Sequence, residues 1–291
     1  MAFLSGDEAL LLYLLALALI AILAGFVGSL TGIGGGVIVI PVLVIFFQVP
    51  FVEAVGASVV TVLANSATTG SAYIRDRLTD VRIGMFLEIA TVPGAIIGAT
   101  ATVLLAKANL EAALLVALGT ILILLSVAGF ARHREDSLEP AVPDARSRRL
   151  GFKGEYYDEQ LKRKVAYRAA DTDSALGVMF SAGLISGMFG IGSGVLKVFA
   201  LDGALKLPIK VATATSNFMI GVTACAGAGV LLAAGYVNPV LVAPVAIGAT
   251  VGAYTGSRLL PGMRSQTVRI AFLLVVIALS VELIIRGAGG P

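Results

Sequence analysis

Tryptophan is missing from this 291-residue sequence, cysteine and histidine occur once each (Cys225, His133), and only 13% of residues are charged. One cysteine excludes an intramolecular disulfide, and with a single histidine beside it the ordinary Cys/His ligand set of a zinc site is absent. The scarcity of charge says more. A soluble domain of this length needs far more polar surface, whereas here 58% of residues are hydrophobic and the mean hydropathy is +0.97. Uncharged apolar stretches repeatedly reach about twenty residues, the length that crosses a hydrocarbon core of about 30 Å. The composition is that of an integral membrane protein. A net charge of +3 is too small and too scattered for a nucleic-acid partner. The first apolar run is preceded by Asp7 and Glu8, where a signal peptide would be basic, so this helix is expected to be retained in the cell membrane.

Apolar segments fall at about 10–31, 37–49, 54–74, 83–105 and 110–131, and again at about 174–190, 195–206, 211–233, 237–260 and 266–286. Between them lies a polar stretch, 132–173, carrying ten of the 21 Lys and Arg. The expected division is an N-terminal transmembrane repeat (1–131), a cytoplasmic linker (132–173) and a C-terminal transmembrane repeat (174–291). Within the linker, 139–149 reads as loop or disorder, and "GEYYDEQLKRKVAYR" reads as a small hairpin or a basic helix lying on the membrane, the alternative being a solvated connector.

The two halves match at an offset of 158: "GIGGG" (32–36) with "GIGSG" (190–194), Pro50 with Pro208, and "AVGAS" (54–58) with "ATATS" (212–216). Putting the linker inside, with five segments per half, also puts Arg75, Arg77, Arg82, Lys206, Lys210, Arg258, Arg264 and Arg269 inside, leaving Lys107 and Arg286 outside. An odd number of segments per half makes the repeats inverted. Segments 37–49 and 195–206 are too short to span and read as broken or re-entrant half-helices. The fold class is therefore an all-α polytopic membrane protein with about 8–10 transmembrane segments in two homologous, inverted repeats.

Where a helix restarts after a Gly cluster, its first amides lack intrahelical acceptors and the dipole is positive, a combination that binds anions. This singles out Gly34, Gly35, Gly36 and Val37 in one half, and Gly192, Ser193, Gly194 and Val195 in the other; the alternative is that the glycines serve only tight turns or packing. Lys197 lies in the first turn of the second half-helix, where a buried cation calls for an anion; the alternative is snorkelling to the headgroups. Asp202, five residues on, lies off its helical face. Among the hydroxyls and amides of the following helices, Ser58, Ser216 and Asn217 are retained as ligands, while Thr213, Thr215 and Thr223, with Thr61, Asn65 and Ser66, are assigned to bonding between helices. Of the acids, Glu88 is the candidate proton relay, and Glu282 is paired with Arg286. Gly94, Gly98, Gly248, Gly252 and Gly256 form small-xxx-small packing patterns.

Enzymatic function is not expected. No HExxH is present, the lone histidine sits in the linker, no P-loop Lys-Ser/Thr follows the glycines, and no cofactor motif occurs.

With these residues in place, the chain resembles the TauE/SafE sulfite exporter family of membrane permeases, through its paired "GIGGG" and "GIGSG" loops, the "GAS" and "ATS" triplets, "GATVGAYTGSRL" (248–259) and the duplicated layout. The family's Gly-Thr-Ser reads Gly56-Ala57-Ser58 in one half and Ala214-Thr215-Ser216 in the other, and Ser193 replaces a loop glycine. The resemblance implies a permease for sulfite, organosulfonates or related small organic anions. The expected partners are a small anionic substrate and membrane lipid, with no cofactor and no metal. Alternating access, a passive anion channel and a membrane scaffold or sensor all remain open at this point.

Overall fold

A computed structural model describes residues 6–31, 35–131, 141–158, 162–259 and 265–289. The apolar runs form α1 (Gly6–Thr31), a short α2 (Gly36–Phe46), α3 (Phe51–Arg75), α4 (Val81–Lys107) and α5 (Glu111–Ala131). After the polar stretch come α7 (Thr172–Phe189), a short α8 (Gly194–Val198) continued by a π-helical stretch (Phe199–Ala204), α9 (Ile209–Ala233), α10 (Pro239–Leu259) and α11 (Ser265–Gly289). Among the described residues, six helices are long and apolar enough to cross a membrane, in α1, α3, α4, α5, α9 and α10. The protein is an all-α polytopic membrane protein. Leu11, Leu15, Leu19 and Leu23, each more than half exposed, form an i+4 row along α1, the outward apolar stripe expected of a lipid-facing helix.

The two short helices fall where the sequence called for them. α2 has 11 residues, and at about 1.5 Å each it covers about 16 Å of a core of about 30 Å. Both are followed by the same backbone device. Gln48 (φ +52°) and Lys206 (φ +54°), 158 positions apart, turn the chain in the left-handed region, and Pro50 and Pro208 then open two 25-residue helices with φ and ψ agreeing within 2°. Proline suits that place because a helix start needs no amide donor.

The main helix pairs map onto one another when the halves are exchanged. α1 packs along α10 as α4 packs along α7, α3 meets α10 as α9 meets α4, and α3 with α9 and α5 with α11 form the two central pairs. Glycine makes the long pairs close. A Cβ at Gly98 would lie 2.1 Å from Leu184 O, at Gly187 2.0 Å from Ala95 O, and at Gly252 2.0 Å from Ile22 O. The small-residue patterns are packing seams, and Glu282 pairs with Arg286 at 3.0 Å as the spacing predicts.

The polar stretch forms the hairpin that the sequence allowed but departs from the reading in two respects. Within the stretch 139–149 expected as loop begins α6 (Ala145–Leu150), capped by Asp144, whose carboxylate accepts from Ser147 N at 3.1 Å. The motif at 154–168 is a hairpin, β1 (Lys153–Asp158) antiparallel to β2 (Arg163–Arg168), and it docks instead of floating in solvent. One face buries Tyr156, Val165 and Tyr167 in a core shared with Ile83, Leu87, Met179, Leu201 and Met219. Phe152 meets Phe86 edge to face at 5.2 Å. Tyr167 donates to Asp80 at 2.9 Å, and Lys210 pairs with Asp158 at 2.9 Å. The physical reason is the period-2 alternation of aromatic and β-branched residues, which gives a ribbon with one apolar face that must be covered.

Candidate functional site

α7 ends at Phe189, and Gly190 (φ +61°) caps it by donating its N–H to Ser186 O at 2.7 Å. Gly192 (φ +75°) and Ser193 (φ +44°) keep the chain in the left-handed region until α8 begins. Glycine takes that conformation freely, but serine does so at a cost of about 1–2 kcal/mol. Its counterpart Gly35 is right-handed (φ −49°), so the strained member of the pair is the one with a side chain. Ser193 is 2% exposed, and its Oγ is a buried side-chain atom without a hydrogen-bond partner. Such orphans call for a physical explanation.

One turn further on, on the same helical face, is Lys197, with no exposed surface at all. Its ammonium donates to Met219 O at 2.9 Å and to the Thr223 hydroxyl, and lies 3.6 Å from Glu88 Oε1. The Thr223 oxygen is 3.0 Å from both Glu88 carboxylate oxygens. Thr223 therefore accepts from the lysine, and its one proton has Glu88 and, at 2.9 Å, the Met219 carbonyl as acceptors, so that the hydroxyl links the two charges. Glu88 comes from α4, Lys197 from α8, and Thr223 and Met219 from α9, so three packed elements have to agree for the cluster to exist. Burial excludes snorkelling for Lys197 and a surface position for Glu88, which is 4% exposed. The anion facing Lys197 in this conformation is Glu88. The corresponding position in the first half is Val39, which lines a small, wholly apolar pocket with Leu17, Ile20, Ala21, Val42, Leu43 and Val245.

The two Gly loops meet at α3. A Cβ on Gly36 would lie 2.6 Å from Ser58 Oγ and 2.7 Å from Gly190 O, and the Ser58 hydroxyl donates to Gly190 O at 2.8 Å. Ser216 donates to Gly194 O at 3.3 Å. Both serines thus hold loop carbonyls in this state. Gly35, Val37, Gly192 and Gly194 are buried beside them, while Gly34 lies outside the described residues. Asn217 is not brought to the lysine. Its carbonyl accepts from Ser66, its Oδ1 from Thr69 at 3.5 Å, and its Nδ2 donates to Thr213 O at 3.0 Å, so it belongs to the α3–α9 seam.

The docked hairpin shares an apolar cluster with Leu87 and Met219, which flank the site. Asp80 accepts from Tyr167 with one oxygen and from Ile83 N with the other, capping α4, and its own N–H donates to Thr215 Oγ1 at 3.0 Å. Burial, then the Asp80 charge, holds the Tyr167 phenol well above its ordinary pKa. The Ala214-Thr215-Ser216 triplet is thereby tied at Thr215 to the start of α4 and at Ser216 to the second Gly loop.

Thr223 was passed over in the sequence because it reads like any membrane threonine; only the third dimension sets it between two charges. The cluster offers a cation, an unpartnered hydroxyl and the first-turn amides of a helix, a donor set suited to an anion. It offers no activated nucleophile, since the Lys197 ammonium is bound to Glu88, Thr223 and Met219, and Ser193 Oγ bonds to none of them.

The sequence profile of the sulfite exporter TauE/SafE family matches residues 17–283. The probable membrane transporter protein YunE of Bacillus subtilis (strain 168) is 27% identical over 278 residues, covering 93% of this chain and 97% of that protein. The probable membrane transporter protein YdhB of the same organism is 25% identical over 250 residues, covering 85% and 89%. No solved structure gives a significant match. With a family match spanning nearly every transmembrane element, the chain belongs to the sulfite exporter TauE/SafE family and is an integral membrane transporter.

Proposed function

We propose that this protein carries a small anion, namely sulfite, an organosulfonate or a related organic anion, across the cell membrane by alternating access. The observation that carries this reading is Lys197, a fully buried cation in the first turn of a broken helix, one turn from the unpartnered hydroxyl of Ser193. A lysine inside a membrane protein is costly and rare, and it marks ion or substrate pathways. The amides of Gly35 to Val37 and of Gly192 to Val195, with Ser58 and Ser216 steadying the loops between them, supply the remaining donors. Substrate at the meeting point of two broken helices is the arrangement of inverted-repeat transporters, and the exchange-symmetric packing of the halves supports that topology. Rocking of one half against the other then exposes the site to each side in turn, with the linker in the cytoplasm. The family's name supports sulfite as the first anion to try.

A carrier is favoured over a channel by the closure of the site, since neither Lys197 nor Glu88 has more than a trace of exposed surface. Counterflow in proteoliposomes separates the two. Labelled sulfite, sulfoacetate, methanesulfonate, taurine and chloride are tested against an internal pool of the same anion. A carrier gives counterflow of one or more of the anions without conductance. Uncoupled conductance without counterflow identifies a channel, and no flux of any of them refutes anion transport.

A further inference from the structure

Glu88 and a transported anion have the same claim on Lys197, and the compartment holds one cation for both. As it stands the cluster is neutral: the Lys197 ammonium, 3.6 Å from the Glu88 carboxylate, with Thr223 hydrogen-bonded to each. An anion arriving from water would leave two negative charges against one positive in a space with almost no solvent, a state that burial strongly disfavours. Neutrality returns when Glu88 takes up a proton as the anion takes its place beside Lys197. Thr223 permits the exchange, because its hydroxyl can turn from donating to a carboxylate to donating to the bound anion while still accepting from the ammonium.

We infer that Glu88 is the coupling residue of this transporter: one proton binds to it for each monoanion that binds at Lys197, and both cross in the same direction. The inference rests on the anion-transport reading above and deepens it, by naming the coupling ion, its carrier and the ratio. The surroundings leave Glu88 to this role. α7 brings only Asp173, paired with Arg146 at its exposed start, and α9 brings Lys210, paired with Asp158, and the exposed Cys225. α3 carries Glu53, Tyr73 and Arg75, with Arg75 beside Asp76, and α5 begins at Glu111. Asp80 is about 12 Å away along α4 and accepts from Tyr167, and Asp202 on the π-helical stretch makes contacts of its own. Among the described residues, the titratable group within ion-pair distance of Glu88 is Lys197.

The stoichiometry makes transport of a monoanion electroneutral and driven by pH. Two pH units, acid outside, are expected to accumulate the anion inside to a limit of about 100-fold, independent of membrane potential. The probe is the anion that gives counterflow, methanesulfonate being preferred because its charge does not change over this pH range. In the wild type, an inward gradient of it at equal pH acidifies the lumen, read with an entrapped pH dye. Glu88→Gln is expected to lose the pH-driven accumulation while counterflow persists at a reduced rate. Accumulation by Glu88→Gln equal to that of the wild type overturns the inference, as does net wild-type uptake of methanesulfonate down its gradient with no acidification of the lumen. Should Glu88→Gln fail to fold, the wild-type dye measurement decides alone. Absence of wild-type counterflow with every anion fails the transport reading itself, and the inference with it.

Discussion

Removing one charge of the buried pair is expected to destabilise the protein in a pH-dependent way, and removing both is not. In Lys197→Met the Glu88 carboxylate loses its cation at 3.6 Å inside the bundle. Its cheapest escape is to take a proton. From an ordinary carboxylate value of about 4.3, doing so at pH 7 costs about 3.7 kcal/mol at ~1.36 kcal/mol per unit. That agrees with the roughly 3–5 kcal/mol found when one partner of a buried pair is deleted. At roughly 2–4 °C per kcal/mol, Tm falls by about 7–15 °C at pH 7. The sign follows from the proton. Protonation becomes cheaper as pH falls, so at pH 5 the same escape costs about 1 kcal/mol and most of the loss is recovered. Glu88→Gln behaves in the opposite sense, because an orphaned lysine escapes by releasing its proton, at about 4.6 kcal/mol at pH 7 and less as pH rises. The double variant leaves no charge to neutralise and is expected within a few degrees of wild type at every pH, since replacing both partners of a buried pair is about neutral or stabilising. The assay is thermal unfolding of detergent-purified protein between pH 5 and 9, read as a double-mutant cycle. Additive losses in the double variant, or single-variant losses that ignore pH, would refute the reasoning.

Further expectations concern the scaffold around the pair. Gly187→Ala places a Cβ 2.0 Å from Ala95 O and should cost about 1–3 kcal/mol in thermal unfolding, whereas Gly229→Ala, with nothing within 4 Å, should be neutral or stabilise by about 0.5–1 kcal/mol. Tyr167→Phe removes a hydrogen bond to a carboxylate, worth about 1.5–3 kcal/mol, and is read as faster proteolysis within the hairpin. Because the folded-state phenol is held above its ordinary value, the wild type's advantage over Tyr167→Phe is present below about pH 10 and shrinks as pH rises further. Ser193→Gly relieves a left-handed serine, raising stability by about 1 kcal/mol, and removes the orphan hydroxyl; the counterflow KM is expected to rise, and an unchanged KM would leave Ser193 outside the site.

Local signals in the sequence proved readable, and contacts between distant segments did not. The half-helices expected at 37–49 and 195–206 are helical over Gly36–Phe46 and Gly194–Ala204, because length against bilayer thickness and a preceding Gly cluster are local facts. The π-helical turn at Phe199–Ala204 left no mark in apolar periodicity. Lys197 was legible as a charge in need of a partner, and Glu88 as an acid inside an apolar segment. Their pairing was not, since α4 and α8 lie in different halves and nothing in either segment alone names the other as its neighbour. Asn217 carried the same signal as Ser216, yet it accepts from Ser66 and Thr69 of α3, a distinction that depends on which helix lies opposite. The hairpin shows how local charge can mislead: Lys162, Arg163 and Lys164 crowd its turn and read as solvated, while the alternation of Tyr156, Val165 and Tyr167 that docks it was equally present in the sequence.

The central claim, that Lys197 is the charge that holds the transported anion, is tested most directly by ligand-dependent thermal stabilisation of two folded proteins: the wild type and Lys197→Met/Glu88→Gln. At about 100 times its Kd, an anion that binds only the folded state stabilises by about 2.7 kcal/mol, several degrees of Tm. The account expects that shift in the wild type with sulfite or the anion that gives counterflow, and none in the double variant. An equal shift in both would contradict it.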